Sequence, residues 1–131
     1  MIARTETQSI ETDAEPDTIF GLLADPRNIP AWAPAFASAI TGDAQRGWQA
    51  VKDGRAFAIR VVAARPSRTV DYLREVAPGR EGGAYTRVLS RPAGGSVVVL
   101  TLPLPPGADP KTVSATLGDE LAALARLAQA T

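Results

Sequence analysis

The chain contains no cysteine and no histidine. The first absence excludes disulfides, thiolate catalysis and cysteine-ligated zinc. The second removes the commonest general base and the commonest metal ligand. Any acid–base chemistry therefore falls to Asp, Glu, Lys or Tyr with a displaced pKa, and neither a metal nor a cofactor is expected. Aromatic residues make up only 5%, so Ala, Val and Leu must do most of the packing. Net charge is also missing: 14 basic residues balance 14 acidic ones. A neutral balance gives no electrostatic footprint for nucleic acid or an anionic membrane. Long apolar runs are lacking too. The longest, Val97–Leu104, is interrupted by Thr101 and Pro103, whereas a spanning helix needs about 20 residues. The start, MIARTETQSIETD, has no apolar signal-peptide core. These absences lead to the expectation of a soluble, cytoplasmic protein without membrane insertion.

What is present fits one domain spanning 1–131. At 45% hydrophobic residues, the chain can bury a core without covalent staples. Ala3–Thr12 alternates loosely and reads as a strand. Pro16 opens a helix whose apolar face is Ile19, Phe20, Leu22 and Leu23, and Asp25-Pro26 stops it. Arg27–Trp32 has room for one or two turns. Strand patterns follow at Phe36–Ile40, Gly47–Lys52, Arg55–Ala64, Arg68–Val76, Ala84–Arg91 and Ser96–Leu104. Asp53-Gly54 marks a tight hairpin. Pro66-Ser67, Pro78 to Gly83, and Ala93-Gly94-Gly95 mark turns or loops. Asp109-Pro110 then reads as the cap and first residue of a final helix. Its stripe, Val113, Leu117, Leu121, Leu124 and Leu127-Ala128, runs for about 20 residues, or roughly 30 Å. Gly118, mid-helix, suggests tight packing on the sheet or room for a ligand. The order is strand, two short helices, about six strands and one long helix. That is an α+β layout in which a long helix covers one face of a curved antiparallel sheet.

This order resembles the superfamily that joins steroidogenic-acute-regulatory lipid-transfer domains, the birch pollen allergen, ring-hydroxylase catalytic domains and polyketide cyclases (the SRPBCC or START-like superfamily). The resemblance covers nearly the whole chain. It rests on Asp25, Pro26, Asn28, Pro30, Trp32, Ala33, Pro34 and Phe36 before the sheet, and on Pro105, Pro106 and Gly107 before the last helix. It is strongest to small bacterial proteins related to polyketide cyclase/dehydrase and lipid-transport proteins. The resemblance implies a helix-grip fold: a curved antiparallel sheet of six to seven strands wrapped around the C-terminal helix. It also implies an internal cavity with a mouth near the two small helices. The superfamily's ring hydroxylases hold iron with histidines; this chain has none, which excludes that use.

Candidate ligand-binding residues follow from position. Trp32 and Phe36 lie beside the small helices, and Leu117, Leu121 and Leu124 lie on the helix stripe. Phe57 is placed on the strand face it shares with Ile59 and Val61. Tyr72 and Tyr85 are candidate hydroxyl donors to a carbonyl. Arg60 and Arg87 are candidates for a carboxylate or a polar ligand group, Arg87 with Asp71 as a potential partner. Strand parity alone fixes no absolute face, so each of these polar residues has an outward, solvated reading beside the inward one. Trp48 reads as packing. Lys111, Asp119, Glu120 and Arg126 read as a solvated helix face. Gly79–Gly83 and Gly94-Gly95 are turn glycines without the strand-to-helix setting of a phosphate cradle. No residue is assigned a catalytic or metal-binding role. The expected function is binding of a small hydrophobic molecule (a lipid, polyketide or isoprenoid-like compound) by a carrier or sensor, monomeric or homodimeric. The alternatives are a metal-free polyketide cyclase or dehydratase, and an interaction module like the heat-shock ATPase activators of the same superfamily.

Overall fold

The computed structural model describes residues 4–131. Ala3, expected to begin the first strand, lies outside the described residues. Among the described residues, seven strands and three helices follow in the order β1 (Thr5–Thr12), α1 (Pro16–Ala24), a single 3-10 turn (Pro26–Asn28), α2 (Ile29–Trp32), β2 (Ala39–Asp43), β3 (Gly47–Lys52), β4 (Arg55–Ala64), β5 (Thr69–Ala77), β6 (Arg80–Ser90), β7 (Ser96–Pro103) and α3 (Pro110–Gln129). The strands form one antiparallel sheet in the order β1-β7-β6-β5-β4-β3-β2. Strands β2 to β7 follow each other as hairpins. Strand β1 closes the far edge beside β7, so the first and last strands are neighbours.

Local chemistry explains most boundaries. Pro16 begins α1, and Asp25 ends it in an extended conformation. The Asp25 carboxylate then accepts from the backbone N–H of Arg27 and takes both Nε and Nη2 of its guanidinium, at 2.9 and 2.8 Å. That bidentate pair holds the Asp25 pKa below its ordinary value. Asp53 and Gly54 both adopt positive φ, as a two-residue hairpin requires. Asp109 caps α3 by accepting from the Lys111 N–H and the Thr112 hydroxyl.

The structure corrects four boundaries. The segment around Phe36 is a turn, and β2 begins only at Ala39, because the chain leaving α2 folds over on itself with the Ala37 N–H bonded back to Ala33. Strand β5 begins at Thr69 and runs on to Ala77. The loop expected from Pro78 to Gly83 is a two-residue turn, Pro78-Gly79, with Ala77 facing Arg80. Gly82 and Gly83 are extended residues of β6; a side chain on Gly83 would run into the Tyr72 carbonyl of β5. Gly118 meets no neighbour at its Cβ position and is exposed, so it serves neither close packing nor ligand space.

The inward face of the sheet carries Ile59, Val70, Tyr72, Thr86, Val88, Ser96, Val98 and Leu100, all buried. Helix α3 lies along β1, with α1 and α2 beside it and β7 beneath. Its buried stripe is Leu117, Leu121, Leu124 and Ala128. Leu124 is wholly buried, as are Ile19 of α1 and Ile29 of α2 to within 1%. The buried hydroxyls are paired: that of Ser96 donates to the Ala14 carbonyl and that of Thr86 to the Val70 carbonyl. Two ion pairs fasten the helix-bearing end to the turns, Arg68 to Asp17 at 2.9 Å and Arg91 to Asp13 at 2.6 Å. The result is a helix-grip fold.

Candidate ligand-binding cavity

A cavity of about 240 Å³ lies where the first half of α3 stands off the sheet. Ile29 and Trp32 wall it from α2, with Ala33, Ala35 and Phe36 from the segment that follows. Tyr72 (β5), Ala84 (β6), Leu100 and Leu102 (β7) form its floor. Thr112, Val113, Thr116, Leu117 and Glu120 of α3 form its roof. The floor residues are aligned by register: Tyr72 faces Ala84, and Thr86, two residues further along β6, faces Leu100. Alanines 33, 35 and 84 leave the space that larger side chains would fill. The second half of α3, from Leu121 onward, takes no part in the wall and packs into the core.

Three polar features mark this wall. The Tyr72 hydroxyl donates to the Leu23 carbonyl at 2.6 Å. Burial pushes its pKa well above the usual tyrosine value, so it stays protonated and its donor is already used. The Trp32 ring sits 5.8 Å from that of Tyr72, tilted by 53°. Its indole Nε1–H is the one buried side-chain polar atom among the described residues without a hydrogen-bond partner. Glu120 is half-buried and its carboxyl is pushed up to about 7, first by desolvation and then by the charge of neighbouring Asp119.

The expected binding residues divide in three. Trp32, Phe36, Tyr72 and Leu117 stand together on the cavity wall. Phe57 and Leu121 point inward without lining it: Phe57 meets Phe36 edge to face at 5.8 Å and carries the Arg74 guanidinium 4.0 Å from its ring centre, while Leu121 is buried in the core. Leu124, also on the expected stripe, is a core residue as well. Arg60, Tyr85 and Arg87 are exposed on the outward face of the sheet, away from the cavity. Asp71 shares that face, opposite Tyr85, and is not among the ion-paired carboxylates. Arg60 pairs with Glu81 at 2.6 Å, and both line a second hollow of about 320 Å³ beside β4 and β5. Four of its eight lining residues are charged (Arg60, Arg74, Glu75 and Glu81), so it offers an apolar molecule little.

Glu120 is the residue that sequence reasoning missed. Its spacing held the signal, since it stands three residues after Leu117 and seven after Val113, on the flank of the apolar stripe. A charged residue on a helix reads as solvated, but Glu120 stands half-buried at the edge of the stripe. Ala84, Leu100 and Leu102 were hidden by the same ambiguity of strand face. Among the described residues no group of three or more acidic side chains is placed to hold a metal ion, and no helix is long and apolar enough to cross a membrane.

Comparison with known proteins agrees with this geometry. No curated protein matches the chain at the level of sequence. Among solved structures, the di-domain ARO/CYC BexL from the BE-7585A biosynthetic pathway superposes with a TM-score of 0.68 at 22% identity. That match covers 94% of this chain and 45% of the BexL chain. The Zhui aromatase/cyclase of Streptomyces sp. R1128 gives 0.64 at 18% identity, covering 98% of this chain and 94% of its own. XoxI of Bacillus cereus gives 0.72 at 18%, covering 96% and 95%. At such identities these likenesses establish the fold alone. The family model described as polyketide cyclase/dehydrase and lipid transport matches residues 4–130, and the chain belongs to that family.

Proposed function

We propose that the protein binds a small apolar molecule in the cavity between α2, α3 and the sheet, and holds it without transforming it, as a carrier or a sensor. The observation that carries this reading is the wall itself. Eleven of its fourteen residues are apolar or aromatic, and the remaining three are Thr112, Thr116 and Glu120. Ligand sites are concave, mostly apolar and supplied with few polar groups. Transformation would need a nucleophile–base pair or a set of converging donors. The Tyr72 hydroxyl is tied to Leu23, and Tyr85, Arg60 and Arg87 lie elsewhere. At about 240 Å³ the space falls below the roughly 300–1,000 Å³ usual for small-molecule sites; it suits a molecule of one or two rings or a short chain better than a two-chain lipid. Native mass spectrometry of the purified protein, with extraction of bound organic material, tests the proposal. A stoichiometric apolar adduct is expected. Failure of every apolar probe to bind or to raise the melting temperature overturns it.

A second reading, a metal-free cyclase or dehydratase, is favoured by one observation: Glu120 is a carboxyl titrating near neutrality in an apolar wall, a property suited to moving a proton beside a ketone. Conversion of a poly-β-ketone surrogate by the wild-type protein, lost in Glu120→Gln, would select this reading over the carrier.

A further inference from the structure

We infer that binding in this cavity is coupled to protonation of Glu120: a neutral apolar occupant is taken up together with a proton and released as the carboxyl ionises. This rests on the cavity-binding reading and adds regulation of the same site.

Glu120 stands three residues after Leu117 and four before Leu124, and both leucines are buried. Val113, seven residues back, lines the cavity with it. That spacing keeps its stem on the cavity flank of α3, and the residue is half-buried there. It is the one charged residue among the fourteen on the wall. It takes part in no ion pair among the described residues. Thr112, another polar residue of the wall, donates its hydroxyl to Asp109.

No other charge is placed to compensate it. The elements packed against α3 are β1, α1, α2 and β7. Their charged residues are Glu6 and Glu11 on β1 and Asp17 on α1, which Arg68 holds. None of these lines the cavity, and α2 and β7 carry no charged residue. From β5 the wall receives Tyr72, whose hydroxyl stays protonated and bonded to Leu23. On α3 itself Asp119 is adjacent. Lys111 and Arg126 stand nine residues before and six after, outside the three- and four-residue spacings at which helix side chains meet.

An apolar molecule filling the space takes water from the carboxyl and puts no partner in its place. Loss of water disfavours the charged form. The fold itself already shows the direction, since desolvation is the first cause that lifts this carboxyl to about 7. Fully buried glutamates reach about 8–9, so occupancy has room to raise it by about one unit or more. A ligand that raises the pKa binds the protonated protein better. Where the bound protein holds more protons than the free one, affinity falls as pH rises. For a rise of about one unit, affinity is intact below about pH 6 and lower by about eightfold at about pH 8.5.

The test titrates naphthalene into wild-type protein and Glu120→Gln, followed by fluorescence, from about pH 5.5 to about pH 8.5. Wild type is expected to lose about eightfold or more in affinity across that range, and Glu120→Gln less than about twofold. A second measurement needs no variant and decides alone if Glu120→Gln does not fold. The NMR shift of the Glu120 carboxyl carbon is titrated with pH in wild type, with and without saturating naphthalene. Its midpoint is expected to move up by about one unit or more. A midpoint unmoved by naphthalene, a flat wild-type affinity profile, or an equal loss in both proteins overturns the inference and leaves the cavity reading intact. Failure of naphthalene to bind at any pH overturns both.

Discussion

Glu120 makes a stability prediction that can be worked through. In an unfolded chain its carboxyl titrates near 4.5; in the fold, desolvation first and the Asp119 charge second raise it to about 7. The groups facing it across the cavity, from α2 and from β5, β6 and β7, are uncharged, so nothing there offsets the shift. Between these two values the folded protein binds more protons than the unfolded chain, so stability falls as pH rises. The contribution is intact below about pH 4.5 and lost as pH climbs through about 7. The difference of about 2.5 in pKa, at about 1.4 kcal/mol each, gives about 3.5 kcal/mol as an upper figure. Water at the mouth lowers it, because Glu120 is only half-buried. Glu120→Gln has a similar shape and no titration. Urea unfolding of both proteins from about pH 5 to about pH 8.5 should show the wild type losing about 1–2 kcal/mol relative to the variant, about 0.5–1 M in midpoint at a slope near 2 kcal/mol per molar. A constant gap between the two proteins across that range would refute the placement of Glu120 in the cavity wall.

Tyr72→Phe removes the bond to the Leu23 carbonyl and should cost about 1–2 kcal/mol by urea unfolding, with naphthalene affinity unchanged, since the hydroxyl is already engaged. Gly83→Ala drives a methyl group into the Tyr72 carbonyl and should destabilise by about 2 kcal/mol or more, seen as a lowered melting temperature. Asp109→Ala removes the acceptor for Lys111 N–H and Thr112 and should cost about 1 kcal/mol, with amide exchange quickened first in the opening turn of α3.

Much of this fold is legible in the chain because its punctuation is strong. Pro16, Asp25-Pro26, Asp53-Gly54 and Asp109-Pro110 each act through a local backbone constraint, and the elements they bound fall where the pattern places them. Phe36 and Gly82-Gly83 are different. Their conformations depend on neighbours distant in sequence: the return of the chain after α2, and the approach of β5 to β6 that only a glycine permits at position 83. The site is less legible than the fold for the same reason. Period-2 alternation groups Phe57 with Ile59 and Arg60 with Val62, but the inner face is decided only when α3 covers it. Trp32 and Leu117 were readable because each lies on a helix whose apolar side must face inward. Arg60, Tyr85 and Arg87 lay on strands and carried no such constraint.

The central claim is that a small apolar molecule occupies the space between α2, the first half of α3 and the inner sheet. Titrating naphthalene into isotopically labelled protein and following its NMR spectrum tests it most directly. The account predicts saturable shifts at the Trp32 indole and the Leu100, Leu102, Val113 and Leu117 methyl groups, with Leu89 and Val99 on the outward half of the sheet unmoved. Shifts confined to the outer face, or none at all, would contradict it.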